Sequence, residues 1–195
     1  LGTAPADVIE FLRGGRIIPF TKEAGGYRPL TLANVVRTAA LRALVRQRRE
    51  DNKSAVGRIQ YGVAREGGGD VMFKSIQSWL AAHPGSALLG IDFEAAFQNV
   101  ERPAVNSAVS EYAPWLESPS RAWYGGPAIH VLDDETGKRH AVPSNRGVDQ
   151  GCPLGAFLFA VTMRMPAEMV LWYIQELDPA ASMYMYPDDG YIIVN

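Results

Sequence analysis

Residues 182–195, SMYMYPDDGYIIVN, consist of two short apolar runs on either side of Pro187, Asp188, Asp189 and Gly190. Apolar and β-favouring residues flanking a Pro/Asp/Gly cluster predict two strands joined by a tight hairpin. The two adjacent carboxylates then lie at the tip of that hairpin, where their negative charges repel each other. Such a pair at a strand end is typical of a site that holds a cation.

A third carboxylate, Asp92, ends the apolar run SALLGID, residues 86–92, which predicts a buried strand. Functional groups gather at strand ends in α/β proteins. If this strand neighbours the hairpin, Asp92, Asp188 and Asp189 converge at one edge of a sheet. Three carboxylates suit Mg²⁺ or Mn²⁺ rather than zinc. Two such ions can activate a hydroxyl and neutralise a leaving phosphate oxygen, so the set indicates phosphate chemistry.

The composition limits what else the chain can be. Its 195 residues are 47% hydrophobic and 21% charged, as in an ordinary globular protein, with one cysteine and three histidines. These few residues exclude an internal disulfide and a Cys/His zinc site. The longest uncharged apolar run, residues 157–163, is far shorter than the roughly 20 residues that span a bilayer. A soluble protein without a membrane partner is therefore expected.

Helix and strand patterns alternate along the chain, which favours a mixed α+β fold. Strands are expected at 16–20 and 27–31, and a hairpin is expected over 128–142. Helices are expected from the cap Thr3 to Leu12, over 33–49, 70–82, from Glu94 past Pro103, and from Pro153 to a break at Pro166 with a second helix beyond it.

Charge is distributed unevenly. The segment from Arg13 to Arg65 contains twelve basic and three acidic residues, whereas residues 66–195 contain seven basic and sixteen acidic ones. A basic segment followed by an acidic one indicates a surface for a polyanion beside a region that can hold cations. The same charges also fit a solvated basic helix on an otherwise acidic protein.

Five stretches in order resemble the motifs of a reverse transcriptase, and the match runs from about Arg16 to Val194. They are YRPLTL, QYGVAREGG, GIDFEAAF, RGVDQGCPLGAFLFA and YPDDGYIIV. The QG-x-PLG and DDG sequences within these motifs are similar to those of non-LTR, LINE-like retrotransposons.

The resemblance implies a fold, a division into domains and a reaction. It implies the fingers and palm of a right-hand polymerase, with an antiparallel palm sheet and no thumb. The fingers-like segment would be 1–85, the palm 86–114 and 151–195, and a junction hairpin would fill 115–150. The activity implied is RNA-directed DNA synthesis, in which a primer 3′-hydroxyl attacks a dNTP with two Mg²⁺ ions, or Mn²⁺, in the site.

The resemblance also assigns roles to particular residues. Asp92 and Asp188 would hold both metal ions, Asp189 would assist as a third catalytic acid, and the carbonyl of Phe93 would be a further ligand. Residues expected to bind the nucleotide are Lys22 and Arg28 at the triphosphate, Phe97 at the sugar, and Gln150 and Gly151 at the nascent base pair. Residues expected to contact the template are Gln60, Tyr61, Gly62 and Arg65.

Three positions depart from the family pattern. Cys152 and Ala156 replace a usual acid and a usual proline and should not touch the chemistry. Pro187 is more serious, because two-residue hairpins favour primed turns with positive φ, whereas proline fixes φ near about −65°. Another turn type is therefore expected, with Asp188 displaced from its best position.

Partners implied by the resemblance are an RNA template, a DNA primer, dNTPs and the remainder of a polyprotein with a thumb and an endonuclease. The expected location is the nucleus or a cytoplasmic ribonucleoprotein, and the fragment alone is expected to be inactive. Alternatives are a catalytically inactive nucleic-acid-binding relic, a reverse transcriptase of group II intron or bacterial type, and an unrelated metal-dependent phosphotransferase.

Overall fold

The computed structural model describes residues 4–23 and 25–195, so the predicted cap Thr3 falls outside the described residues. The helices are α1 Ala6–Arg13, α2 Val35–Gln47, α3 Arg49–Ala55, α4 Gly68–Ala82, α5 Ala96–Asn99, α6 Arg102–Tyr112, α7 Glu117–Tyr124 and α8 Gly155–Gln175. The strands are β1 Gly15–Thr21, β2 Tyr27–Ala33, β3 Ala87–Asp92, β4 Ala128–Asp133, β5 Arg139–Ser144, β6 Ser182–Tyr186 and β7 Asp189–Val194. This is the mixed α+β fold that the sequence predicts.

The strands form two sheets. The first has the order β2-β1-β4-β5, in which two antiparallel hairpins meet through parallel pairing of β1 with β4. The second has the order β3-β7-β6 and is antiparallel throughout. The predicted antiparallel sheet, including the hairpin of residues 182–195, is therefore confirmed.

Helix α8 connects the main core to the three-stranded sheet. Its first half carries Phe157, Leu158 and Val161 into a core that also contains Trp123 and Leu116. Its second half packs side chains against the sheet, in a second cluster of Ala167, Leu171, Ile174, Met183 and Ile192. Both halves of the helix, before and after Pro166, are packed against other parts of the protein. This packing explains why the helix continues through the proline, since tertiary contacts outweigh local propensity in most helices.

Four details of the secondary structure differ from the sequence-based expectation. Helix α8 runs unbroken through Pro166. The helix expected from Glu94 is divided into α5 and α6. Helices α3 and α7 were not expected. Strand β3 is largely exposed rather than buried, because it lies at the edge of its sheet and leaves Leu89 59% accessible.

Within the described residues, α8 is the one helix long and apolar enough to cross a membrane by length and composition. The core helices of soluble proteins share this property. The sequence-based estimate missed it because it ended the apolar run at Arg164, whereas the helix continues to Gln175.

Candidate active site

The carboxylate-bearing hairpin has a two-residue turn, formed by Pro187 and Asp188 between β6 and β7. Among the described residues other than glycine, positive φ occurs at Ala64 and Ala95 and not in this turn. The turn is therefore not a primed type, as Pro187 predicts. Asp188 lines the same cavity as Asp92, and its expected displacement from the best position stays a prediction.

The third carboxylate belongs to the neighbouring strand. Asp92 at the end of β3 pairs directly with Asp189 at the start of β7, which confirms that the two predicted strands are adjacent. Burial, followed by the charges of Asp188 and Asp92, raises the pKa of Asp189 above its usual value. The charges of Asp188 and Asp92 therefore oppose the ionisation of Asp189.

The cavity beside this hairpin has a volume of about 380 Å³. Its lining combines two basic side chains from the β1–β2 hairpin with acidic side chains from the three-stranded sheet and the segment after β3. The lining residues are Lys22, Tyr27, Arg28, Pro29, Asp92, Phe93, Glu94, Ala95, Ala96, Gln98, Gln150 and Asp188. Cations and carboxylates in one cavity suit a ligand that carries phosphates together with a metal ion.

The carboxylates fit a hard divalent cation in their chemistry, since all are oxygen donors. As the side chains stand, however, no group of three or more His, Cys, Asp or Glu in the described part of the chain is arranged to hold a metal ion. Asp92 and Asp188 thus present two donors to the cavity. A third ligand would require a side-chain adjustment at Asp189 or the carbonyl oxygen of Phe93.

The loop before α8 brings Gln150 into the cavity. The carbonyl of Gln150 accepts a hydrogen bond of 2.7 Å from the backbone N–H of Thr31 on β2, the strand that also carries Arg28. The next residue, Gly151, has φ of +100°, and a Cβ there would lie 2.8 Å from the Thr31 carbonyl oxygen. Glycine is required at this position, because a side chain would separate the loop from β2.

Phe97 packs into the protein interior. Its ring stacks on Phe159 with centroids 5.2 Å apart, and it borders the main core. The residues on either side of it, Ala96 and Gln98, line the cavity, whereas Phe97 and Gly151 are not among its lining residues. The roles assigned to Phe97 and Gly151 in nucleotide binding stay predictions.

The segment predicted to contact the template lies against the carboxylate-bearing hairpin. Gln60 is 2% exposed and pairs with Met185 of β6 in a short bridge. Its Oε1 accepts from the Gly62 N–H at 2.8 Å, and its Nε2 lies 3.5 Å from the Pro187 carbonyl oxygen. Both ends of the Gln60 amide therefore face groups of the protein itself, and its contact with a template stays a prediction.

Tyr61 and Arg65 are half-buried next to this bridge. The Arg65 guanidinium lies 4.6 Å above the Tyr61 ring, which in turn contacts the Tyr184 ring. Arg65 also donates to the carbonyl of Arg58 at 2.8 Å. Their predicted contact with a template remains a prediction.

Sequence reasoning missed several residues that line the cavity. Tyr27 precedes Arg28 in the YRPLTL motif, and Glu94 and Gln98 follow Asp92 closely. Their proximity to assigned residues was the available signal. Residue type alone could not identify them, since an exposed tyrosine or glutamine has many ordinary positions.

Comparison with known proteins supports the fold. No protein-family model matches the chain, and no curated protein matches it significantly. Among solved structures, apo telomerase of Candida tropicalis truncated from its C-terminal domain matches with a TM-score of 0.64 and 12% identity, over 98% of this chain and 44% of that one. The chain therefore has a fold like that of the telomerase reverse transcriptases.

Two further structures agree. Telomerase of Candida tropicalis in complex with a TWJ fragment of telomeric RNA matches with a TM-score of 0.64 and 11% identity, over 94% of this chain and 36% of that one. Telomerase of Candida albicans in complex with the same kind of fragment matches with a TM-score of 0.59 and 13% identity, over 98% of this chain and 39% of that one. The chain spans less than half the length of these telomerases.

Proposed function

We propose that the chain is a reverse-transcriptase domain of non-LTR retrotransposon type that binds a dNTP and adds it to a primer on an RNA template. The observation that carries the proposal is the single cavity that joins Lys22 and Arg28 to Asp92, Asp188 and Gln150. The QG-x-PLG and DDG spellings support the non-LTR type. The telomerase-like fold supports a polymerase domain and an RNA partner.

Each wall of the cavity would act on a different part of the substrate. Lys22 and Arg28 would bind the triphosphate, because an ammonium and a planar guanidinium match its negative oxygens. Gln150 would contact the nucleoside through its amide. Its side-chain oxygen is buried and has no hydrogen-bond partner among the described residues, so its acceptor capacity is unused, and a turn of the side chain would bring it to a ligand in the cavity.

Asp92 and Asp188 would hold Mg²⁺, with Asp189 close by. The bound metal would supply charge neutralisation for the phosphates and a lower pKa for the primer hydroxyl. The carboxylates orient the reactants by fixing where positive charge is placed. The basic β1–β2 hairpin holds the triphosphate against them, which keeps the reacting groups at short range.

The test is Mg²⁺-dependent binding of a dNTP, measured by calorimetry on this chain and on the Asp188→Asn and Lys22→Ala variants. We expect the wild type to bind and both variants to lose at least about tenfold in affinity, since a neutral amide is a poorer ligand for a hard cation. Primer extension on an RNA template is then measured for the same variants, with the domain joined to a thumb. Equal dNTP binding with and without Mg²⁺, or unchanged binding in Asp188→Asn, would contradict the proposal.

A further inference from the structure

A buried cluster of charged side chains lies directly behind the cavity, at Asp149. This carboxylate is 8% exposed and accepts from Arg37 at one oxygen, 3.1 Å, and from His130 Nε2 at the other, 3.0 Å. Arg37 and His130 are themselves 1% and 4% exposed. None of the three was expected to be a site residue from the sequence.

The cluster joins three parts of the fold that are distant in sequence. Arg37 comes from α2 and His130 from β4, while Asp149 belongs to the loop before α8. Tyr124 at the end of α7 completes the set, because its hydroxyl accepts from the backbone N–H of Asp149 at 3.2 Å and from Arg37 at 3.3 Å. Side chain and backbone of Asp149 are thus both held.

The cluster is built to keep an ionised carboxylate inside the protein. Burial raises the pKa of Asp149, but the hydrogen bond and charge of His130 and the charge of Arg37 outweigh it, so the pKa lies below its usual value. Buried ion pairs are seldom the most stable solution, since well-packed apolar residues often stabilise a core as much or more. Such a cluster therefore suggests a requirement for one particular loop geometry.

The residue that this geometry controls is Gln150. It follows Asp149 directly, its carbonyl accepts a hydrogen bond from the Thr31 N–H, and it is one of the residues that line the cavity. We propose that Arg37, Asp149 and His130 are positioning residues that fix Gln150 against β2 for contact with the incoming nucleotide. This inference rests on the proposed function only for the identity of the ligand.

The first test is independent of any ligand. Asp149→Asn removes the charge and keeps the shape, and it should speed hydrogen exchange at the Thr31 amide, which donates to Gln150, by at least tenfold. In the variant, the Thr31 amide should still exchange through an opening of lower free energy than that of amides in the middle of α8, which separates local loosening from global unfolding. Unchanged exchange at Thr31 would overturn the positioning role.

The second test asks whether the cluster acts through Gln150. Asp149→Asn and Gln150→Ala should each weaken Mg²⁺-dependent dNTP binding about tenfold, and the double variant should bind no more weakly than Gln150→Ala alone. Additive losses would show that Asp149 affects binding by a route other than Gln150 and would overturn the inference. Absence of dNTP binding in the wild type would instead contradict the proposed function, and the exchange test would still decide the positioning role.

Two matched substitutions at His130 test the same positioning role if the Asp149→Asn variant does not fold. His130→Gln retains a side-chain donor that can reach Asp149, whereas His130→Leu does not, and both leave the Arg37–Asp149 pair in place. Faster exchange at Thr31 in His130→Leu, restored in His130→Gln, is the expected result. Equal exchange in the two variants would refute a role for this hydrogen bond.

Discussion

Asp189, which follows Asp188 and pairs in register with Asp92, illustrates how neighbouring carboxylates oppose the ionisation of a third in a folded chain. Burial and the two neighbouring charges raise the pKa of Asp189. A folded-state pKa above the unfolded value means that the folded chain binds the proton more tightly. In EDTA, the contribution of Asp189 to the free energy of unfolding should therefore rise as pH falls through its folded-state pKa.

Removing one carboxylate should have the same effect as neutralising it. We expect Asp92→Asn to raise the melting temperature in EDTA and to abolish the stabilisation by Mg²⁺. For the wild type, that stabilisation is about 1.4 kcal/mol at a metal concentration ten times Kd. Differential scanning fluorimetry with and without Mg²⁺ measures both effects, and Glu135→Gln, in the exposed turn between β4 and β5, is a control outside the cavity. A Mg²⁺ shift that survives in Asp92→Asn would contradict this account.

Asp149 should show the opposite dependence on pH. Its pKa is lowered in the folded chain, so its contribution to stability is present above the unfolded pKa of about 3.9 and is lost as pH falls through the folded value. Leaving Arg37 unpaired in Asp149→Asn should cost about 3–5 kcal/mol at neutral pH. Urea unfolding of both proteins between pH 7 and pH 3 measures the difference, which should shrink on the acid side. A constant difference over this range would show that the ion pair is not the cause.

Short sequence motifs were enough to predict that Asp92, Asp188, Lys22, Arg28 and Gln150 lie together, since all five line one cavity; their roles stay predictions. Burial could not be predicted in the same way. Arg37 counted as surface charge in the basic segment, and Gln60 as a template contact, and both are buried. The partner of Arg37 lies 112 positions away along the chain, so no local pattern could indicate it.

At the scale of elements, the segment around Gly62 packs directly on the carboxylate-bearing hairpin. A Cβ at Gly62 would lie 2.9 Å from Pro187 Cδ and 3.0 Å from Tyr186 Cδ2. Two backbone hydrogen bonds of 2.8 Å, from Tyr61 to Met185 and from Met185 to Ile59, hold the two segments together. Pro187 is thus accommodated by a glycine opposite it, which explains how the hairpin tolerates a proline in its turn.

This contact predicts coupling between the two positions. Gly62→Ala should destabilise the chain by about 1–3 kcal/mol through overpacking, and Pro187→Ala should restore part of that loss by removing Cδ. Pro187→Ala alone should cost about 0.4–1 kcal/mol, because the unfolded chain becomes more flexible. Chemical unfolding of the single and double variants measures the coupling, with Gly85→Ala as the control, since a Cβ there meets nothing within 4 Å. Strictly additive effects would refute the packing argument.

The structure of this hairpin also changes the effect that is expected of replacing Pro187 on dNTP binding. From sequence, proline at a primed turn implies a displaced Asp188. The turn is of another type and Asp188 still lines the cavity, so Pro187→Ala should leave Mg²⁺-dependent dNTP binding within about twofold of the wild type, a free-energy difference of about 0.4 kcal/mol. Calorimetry on the variant tests this, and a large gain in affinity would support displacement by the proline after all.

At the scale of the whole molecule, fewer of the basic residues are free than the sequence count suggests. Arg37 is buried, Arg48 pairs with Asp51, Arg49 with Glu66 and Arg16 with Asp133. The uneven charge along the chain therefore overstates the positive surface. Sequence alone could not show this, because the partners of Arg16, Arg37 and Arg49 come from other parts of the chain.

Arg46 and Arg58 remain exposed, and neither forms an ion pair within residues 4–23 and 25–195. If they contact the phosphates of an RNA template, each should release about 0.7 counterion on binding. Arg46→Gln with Arg58→Gln should then reduce the slope of log K against log salt by roughly 1.4.

The matched control replaces two arginines outside the basic segment whose charges are already paired, Arg121 with Glu117 and Arg139 with Asp133. Arg121→Gln with Arg139→Gln removes the same net charge from the chain as the first pair of changes. Fluorescence anisotropy with a labelled single-stranded RNA, from low to moderate salt, gives the slope for each protein. If both double variants lower the slope equally, net charge rather than a template surface accounts for binding. If only the Arg46 and Arg58 changes lower the slope, the exposed arginines around α2 and α3 contact the RNA backbone.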